Sequence, residues 1–223
     1  MNLTRQRFAH PLDVKNGYIE LSHGGGGRAM AQLIEELFLA AFDNDWLRAQ
    51  DDCARLPVCG GRLVMATDSH VVSPLFFPGG DIGCLSVHGT INDVAMSGAQ
   101  PLYLAATFIL EEGFPLADLK RIVNSMAQAA RQAGVPIVTG DTKVVERGKG
   151  DGVFITTTGV GIIPPGVEIS ASRAKPGDAI LISGALGDHG MAVLSQRENL
   201  SFDSPIVSDT AALHELVAAM IQV

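Results

Sequence analysis

Charged residues make up only 18% of this 223-residue chain, and aromatic residues only 5%. Basic residues are the scarcer sign: 16 Lys plus Arg against 24 Asp plus Glu leave a formal net charge of −8. No Lys/Arg cluster interrupts that acidity, which argues against nucleic acid and anionic membrane surfaces as partners. No apolar run approaches the roughly 20 residues of a membrane-spanning helix. Pro101 to Leu110 is the best candidate, about half that length and β-like in composition. The polar stretch Met1 to His10 lacks an apolar centre, so no secretory signal is expected and the cytoplasm is the expected compartment. Cys53, Cys59 and Cys84 are the only cysteines and show no C-x-x-C spacing. They match neither a disulfide framework nor a structural zinc site, which leaves free thiols as the expectation. The histidines lack H-x-x-x-H spacing, and Ser69 and Ser183 lack a G-x-S-x-G elbow, so neither a histidine-held metal nor a hydrolase triad is favoured.

What is abundant is apolar residues, at 47%, and glycine, at 25 residues. Gly17 to Leu21 predicts a short strand, followed by the run His23-Gly24-Gly25-Gly26-Gly27. Met30, Leu33, Ile34, Leu37, Phe38 and Ala41 then repeat at helical spacing and predict one buried stripe. Arg62 to Thr67 and Val71 to Phe76 predict strands, with a Pro78-Gly79-Gly80 turn behind them. Asp81 suits the N-cap of a helix reaching Ser97, stopped by Gly98 and Pro101. Leu102 to Leu110 predicts a strand. After Pro115, residues Leu116, Leu119, Ile122, Val123, Met126 and Ala130 mark the inner face of a long helix. Pro136 to Asp141 predicts a further strand. Lys143 to Glu146 and Val153 to Val160 then predict a hairpin around the tip Arg147 to Gly152.

This order predicts an α+β fold with helices on one side of a mixed, largely antiparallel sheet. Composition shifts at Pro164-Pro165-Gly166, dividing a first domain, 1–165, from the start of a second α/β domain, 166–223. In the latter, Ala179 to Ser183 predicts a strand, and Met191 to Arg197 and Ala211 to Gln222 predict helices. So short a unit seldom closes a core by itself.

Two features point to chemistry. Glycines opening an amphipathic helix bring backbone N–H groups and a helix N-terminus to an anion, although a flexible turn reads the same way. No Lys-Ser/Thr follows, so this is no Walker A loop, and Gly24-x-Gly26-x-x-Ala29 matches the dinucleotide fingerprint only loosely. Separated acidic positions follow: Asp68 after a β run, Asn92-Asp93 in a helix with an apolar opposite face, and Asp141 at a strand end with Lys143 beyond it. Each alone reads equally as a cap or a salt bridge. Together they are hard oxygen donors of the kind that suit Mg²⁺ on nucleotide phosphates rather than zinc. His23, His70, His88 and His189 read as hydrogen-bonding residues, and His10 and His214 as surface residues.

Taken in order, Ser22 to Gly27, Thr67-Asp68-Ser69, Pro78 to Gly83, Gly89-Thr90-Ile91-Asn92-Asp93 through Ala99, and Gly140-Asp141-Thr142-Lys143-Val144-Val145 resemble a known superfamily. It is the PurM-like ATP-binding superfamily of aminoimidazole-ribonucleotide synthetase and selenophosphate synthetase. Phe108 to Gly113 and Ser183 to Gly190 sharpen the likeness to its HypE-type carbamoyl dehydratases. The resemblance implies a PurM-like N-terminal domain that dimerises through its strands and binds ATP and Mg²⁺ near that interface. It implies dehydration of a thiocarboxamide on a C-terminal cysteine to a thiocyanate, supplying cyanide to the iron of [NiFe]-hydrogenase. The carbamoyltransferase HypF and the HypC–HypD complex are the implied partners.

By the same resemblance, Asp68, Asp93 and Asp141 would hold the metal and phosphates, and Asn92 and Thr142 would hydrogen-bond the nucleotide. Ser69 and the loop His23, Gly24, Gly25, Gly26 and Gly27 would complete the nucleotide site, with Lys143 as the catalytic cation. The family's Pro-Arg-Ile-Cys tail and its later Asn-Glu-Gly motif have no counterpart before Val223. A fragment or truncated product, not competent alone, is therefore expected. A selenophosphate synthetase would want a reactive Cys and Lys near the glycine loop, where this chain has His23 and Arg28. A non-catalytic interaction module is the remaining alternative.

Overall fold

The computed structural model describes residues 8–49, 53–57 and 60–222. Cys59 and the first seven residues lie outside these. Four strands, β1 (Arg62–His70), β4 (Gln100–Glu111), β5 (Ile137–Val145) and β6 (Val153–Ile163), form one sheet in the order β1-β6-β4-β5. β6 runs antiparallel to both β1 and β4, and β4 is parallel to β5, so the sheet is mixed and largely antiparallel. The α+β class follows directly. A second ladder, β2 (Phe76–Phe77) with β3 (Gly80–Asp81), closes around the Pro78-Gly79 turn. Among the described residues no helix is long and apolar enough to cross a membrane.

Helix α4 (Ile82–Ala95) starts at Asp81, whose Oδ1 accepts from the N–H groups of Gly83 at 2.7 Å and Cys84 at 3.1 Å. That satisfies two donors left open in a helix's first turn. α5 (Leu116–Ala133) follows Pro115, and all six apolar positions named for it are buried. With Leu104, Phe108 and Leu110 of β4 and Ile155 of β6 they make one core between the helices and the sheet. The predicted helix after the glycine run is continuous, as α1 (Arg28–Leu33), a π-helical stretch Ile34–Leu39 and α2 (Ala40–Phe42). Its Phe38 ring sits 4.9 Å from that of Phe108. A single turn, α3 (Asp45–Arg48), follows. α4 is tied to β6 by buried polar groups as well: Thr157 Oγ1 lies 2.6 Å from Thr90 Oγ1 and donates to the Ser86 carbonyl at 2.8 Å. Each hydroxyl is partnered, which removes the desolvation cost of burying it.

The opposite sheet face is uncovered at β1, where Leu63 and Met65 are 72% and 74% exposed.

Several local expectations do not hold. Lys143–Glu146 and Val153–Val160 form no hairpin, because β4 lies between β5 and β6 and pairs with both. The apolar alternation of β4 suits a central strand, and α5 carries the chain over to the parallel strand β5. Gly17 to Leu21 contributes one bridge, Tyr18 to Pro115, and then tightens into a 3-10 turn at Leu21–Gly24. Val71 to Phe76 is strand only at its end, and Asp68 and Asp141 lie within strands rather than at their ends. Beyond Ile163 the run Ala179 to Ser183 forms no strand and pairs with none of the described strands. Only α6 (Asp188–Arg197) and α7 (His214–Ile221) are regular there besides a 3-10 turn, the latter shorter than predicted. His214 is half-buried rather than a surface residue.

Candidate functional site

The glycine run rests on β5. A Cβ at Gly24 would come within 2.9 Å of the Val144 N and Cβ atoms, so only glycine lets the loop approach that strand. His23 is buried at the base of the loop, and its Nδ1 accepts from the Glu20 N–H at 3.0 Å. Burial lowers the imidazole below its ordinary value, partly offset by Glu20. Gly25, Gly26 and Gly27 are exposed, and Gly27 precedes α1 with no side-chain cap on the helix. A helix N-terminus left in that state is suited to an anion.

One residue before Val144 on β5, Lys143 Nζ lies 3.1 Å from Asp141 Oδ2. Both side chains are more than half exposed, so the pair adds little to stability and leaves the ammonium accessible. Asp141 Oδ1 also accepts from the Thr142 N–H at 2.8 Å. The Thr142 side chain is buried, because strand alternation turns it away from its two neighbours. The structure therefore gathers His23 to Gly27, Asp141, Thr142 and Lys143 at one sheet edge.

The other acidic residues collect at the opposite edge. Asp68 of β1 has one oxygen 2.8 Å from the Ser69 N–H, and the other 3.3 Å from Nε2 of His70. His70, only 7% exposed, faces α4 at Gly89, and Asp93 stands one turn further along that helix. Burial lowers the His70 imidazole, while Asp68, the Ile155 carbonyl and Asp93 oppose the shift in that order. Asp93 itself is exposed, so it does not carry the burial cost expected of a charge on an apolar helix. Ser69 points to the open sheet face, with its hydroxyl 2.9 Å from that of Thr156.

Asn92 is occupied elsewhere. Its Nδ2 donates to the Ala211 carbonyl at 2.9 Å and its Oδ1 accepts from the Leu213 N–H at 2.7 Å. Hydrogen-bonding a nucleotide would require giving those bonds up.

Asp68 and Asp141 do not meet within one chain. Three strand spacings separate β1 from β5, roughly 14 Å. Asp141 shares a register row with Thr107, Thr156 and Ser69, so it lies on the open face, and Asp68 lies on the helix face. Among the described residues no three His, Cys, Asp or Glu side chains are grouped closely enough to hold a metal. One half-exposed carboxylate with spare lone pairs still fits Mg²⁺, which commonly takes one or two carboxylates, phosphates and water. Asp68 is of that kind.

The row of hydroxyls on the open face, Ser69, Thr156 and Thr107, is legible as strand alternation, while the motifs mark only Ser69 among them. His70 was legible too, since residues two apart on a strand share a face. An open cleft of about 510 Å³, lined by Tyr18, Glu111, Phe114 and Arg147, contains none of the predicted residues. Beside it, Glu111 accepts from the Gly148 and Gly152 N–H groups, which lower its carboxyl below the ordinary range.

The chain is similar to known proteins in both sequence and fold. Residues 50–163, just over half of the chain, match the family of AIR synthase related proteins, N-terminal domain. The carbamoyl dehydratase HypE of Cupriavidus necator is 71% identical over 217 residues, 97% of this chain and 62% of that protein. The crystal structure of the hydrogenase maturation protein HypE in complex with ATP superposes with a TM-score of 0.88 at 56% identity, covering 90% of this chain and 60% of that one. A HypE–HypF complex gives a TM-score of 0.71 at 57% identity, over 85% and 61% of the two chains. The chain thus spans about 62% of the length of the curated relatives it matches. It belongs to the AIR synthase related family and, within it, resembles the HypE proteins over nearly its whole length.

Proposed function

We propose that this chain is the ATP-binding part of a HypE-type carbamoyl dehydratase, with residues 1–165 as its nucleotide-binding and dimerisation domain and 166–223 as the start of a second. The observation that carries the reading is the glycine run seated on β5 at Val144, next in the chain to the exposed Lys143–Asp141 pair. A HypE structure that superposes closely on this one holds ATP.

In the proposed reaction a carboxamide oxygen takes the γ-phosphoryl group of ATP. It leaves as phosphate once the amide nitrogen has lost both protons, so thiocarboxamide plus ATP gives thiocyanate, ADP and phosphate. Gly25 to Gly27 and the start of α1 would cradle the phosphates, with His23 holding the base of the loop. Lys143 would stand where negative charge builds on the transferring group. A fixed cation there lowers the barrier without reorganising at the moment of reaction. Asp141 would orient that ammonium, and Thr142 would hold the nucleotide through its backbone, its side chain being turned inward. Asp68 and Asp93 would hold Mg²⁺, which when bound would neutralise phosphate charge. Ser69 would face the nucleotide from the open sheet face.

The exposed Leu63 and Met65 are suited to cover by a second copy of the chain, forming the homodimer. A homodimer also offers a way for the glycine run, Asp141 and Lys143 of one copy to meet Asp68 and Asp93 of the other, since one chain holds the two sets at opposite sheet edges. HypF and a HypC–HypD complex are the proposed partners and the cytoplasm the proposed compartment, with no role for nucleic acid or membrane.

Calorimetric titration with ATP tests the reading. Lys143→Ala should weaken binding by about ten- to a hundredfold, the scale of one charge-assisted hydrogen bond. Parent chain that takes up no ATP would remove the proposal.

A further inference from the structure

We propose that His70 is a positioning residue, holding Asp68 in the orientation in which it binds a divalent cation on nucleotide phosphates. The inference rests on the nucleotide-binding reading above and names the groups that prepare its acidic edge.

Three observations converge. First, Asp68 has a neighbour at each oxygen although it is half exposed: Oδ1 accepts from the Ser69 N–H at 2.8 Å, and Oδ2 lies 3.3 Å from Nε2 of His70. A carboxylate on a solvent-facing strand edge ordinarily rotates freely. One that accepts a hydrogen bond at one oxygen and meets a buried ring at the other has fewer orientations open to it. Second, His70 is buried where Asp68 is not, so packing fixes the ring and the ring limits where the carboxylate beside it can turn. Third, α4 makes room for the pair. A Cβ on Gly89 would lie 3.0 Å from His70 Nε2 and 3.7 Å from Asp68 Oδ2, and glycine avoids that crowding. Asp93, one turn along α4, adds its charge to the same neighbourhood.

Outer partners of this kind orient the groups that bind a metal, and their loss typically weakens metal affinity by about 10- to 100-fold. The chemistry defines the ligand as a hard divalent cation already attached to a di- or triphosphate. One protein carboxylate with phosphate oxygens and water completes its coordination.

The test is a Mn²⁺ titration in saturating ATP, followed by electron paramagnetic resonance, with metal-free ATP affinity measured alongside. In His70→Leu, which fills the space without a polar edge, Mn²⁺ affinity should fall 10-fold or more while metal-free ATP affinity is unchanged. His70→Gln, which keeps a nitrogen donor near the Nε2 position, should recover most of the loss. A purely packing role predicts no such recovery. Gly89→Ala covers the case in which His70→Leu fails to fold. It favours the helix yet crowds the pair, so Mn²⁺ affinity should drop several-fold with no fall in melting temperature. Asp68→Asn separates this inference from its parent reading. If Asp68→Asn abolishes Mn²⁺ binding while His70→Leu and Gly89→Ala match the parent chain, the positioning role is overturned alone. If the parent chain binds no Mn²⁺ with ATP, or Asp68→Asn binds it normally, both fall together.

Discussion

The sheet-bearing part of the chain, Arg62–Ile163, and the stretch from residue 164 onward put similar apolar residues to opposite use. In the first, Phe108, Leu110, Leu119 and Ile155 are buried within one core. In the second, Ile180 is 91% exposed, with Leu181 and Leu186 nearly as open. The local sequences are not very different: Ala179 to Ser183 is as β-like as Leu102 to Leu110. What differs is the neighbourhood. β4 has a hydrogen-bonded strand on each side and helices over one face, and residues 179–183 have neither. Strand structure belongs to the ladder, because the backbone polar groups of an extended segment are satisfied only across it.

The later stretch is nonetheless pinned at particular points. Ser208 N–H donates to the Pro78 carbonyl at 2.8 Å, Thr210 meets Nδ1 of His88 at 3.0 Å, and Asn92 grips the backbone at residues 211 and 213. Arg197 donates twice to the Ser73 carbonyl. One region is therefore held by a core, and the other by polar clasps together with a few buried apolar side chains such as Ala192 and Val193.

The largest test of that contrast is a pair of truncations. Phe108→Ala should cost about 3–5 kcal/mol, a transfer term plus a cavity. Ile180→Ser should stay within about 0.5 kcal/mol, as for an exposed site. Urea unfolding measures both, and equal losses would break the distinction. A smaller effect is expected at the clasp. Asn92→Ala leaves the Leu213 N–H and the Ala211 carbonyl without their partner, costing about 1–3 kcal/mol if water does not replace it. Hydrogen exchange should quicken over residues 207–213 while the amides of β4 stay protected.

The smallest effect is in pH. Burial lowers the His88 imidazole below its ordinary 6.5, with Asp81 partly opposing, so the unfolded chain binds the proton more readily than the folded one. The stability contributed by neutral His88 is present above pH 6.5 and declines as pH falls through that value toward the lowered folded one. Exchange at Thr210 should rise between pH 7.5 and 5.5, and His88→Gln should flatten that rise. A pH-independent exchange rate in the parent chain, after correction for intrinsic chemistry, would show that His88 is not part of the clasp.

Much of the body was legible from local pattern. The helical spacing in Leu116 to Ala130 marks the face that is buried, and Asp81 marks where α4 begins. Pairing was less legible. Lys143–Glu146 and Val153–Val160 are close in sequence and suggest a hairpin, yet β4 enters between them from earlier in the chain. The candidate site divides along the same line. The glycine run and Lys143 are recognisable as residue types, but their meeting depends on Gly24 touching Val144 across more than a hundred residues. Asp68, Asp93 and Asp141 look alike as separated acids, and the register alone sends Asp141 to a different edge and face from Asp68. Asn92 looked like a nucleotide ligand, and only the position of residues 211–213 gives its amide another task.

By itself the sequence determined the long helices, the strands of the main sheet, the Asp81 cap and the set of polar residues available for chemistry, because periods of 2 and 3.6 and the chemistry of a cap are local. The tertiary structure decided which strand lies next to which and which acids share a face. Those outcomes depend on contacts between distant segments, and a local pattern carries no information about which distant segment will arrive.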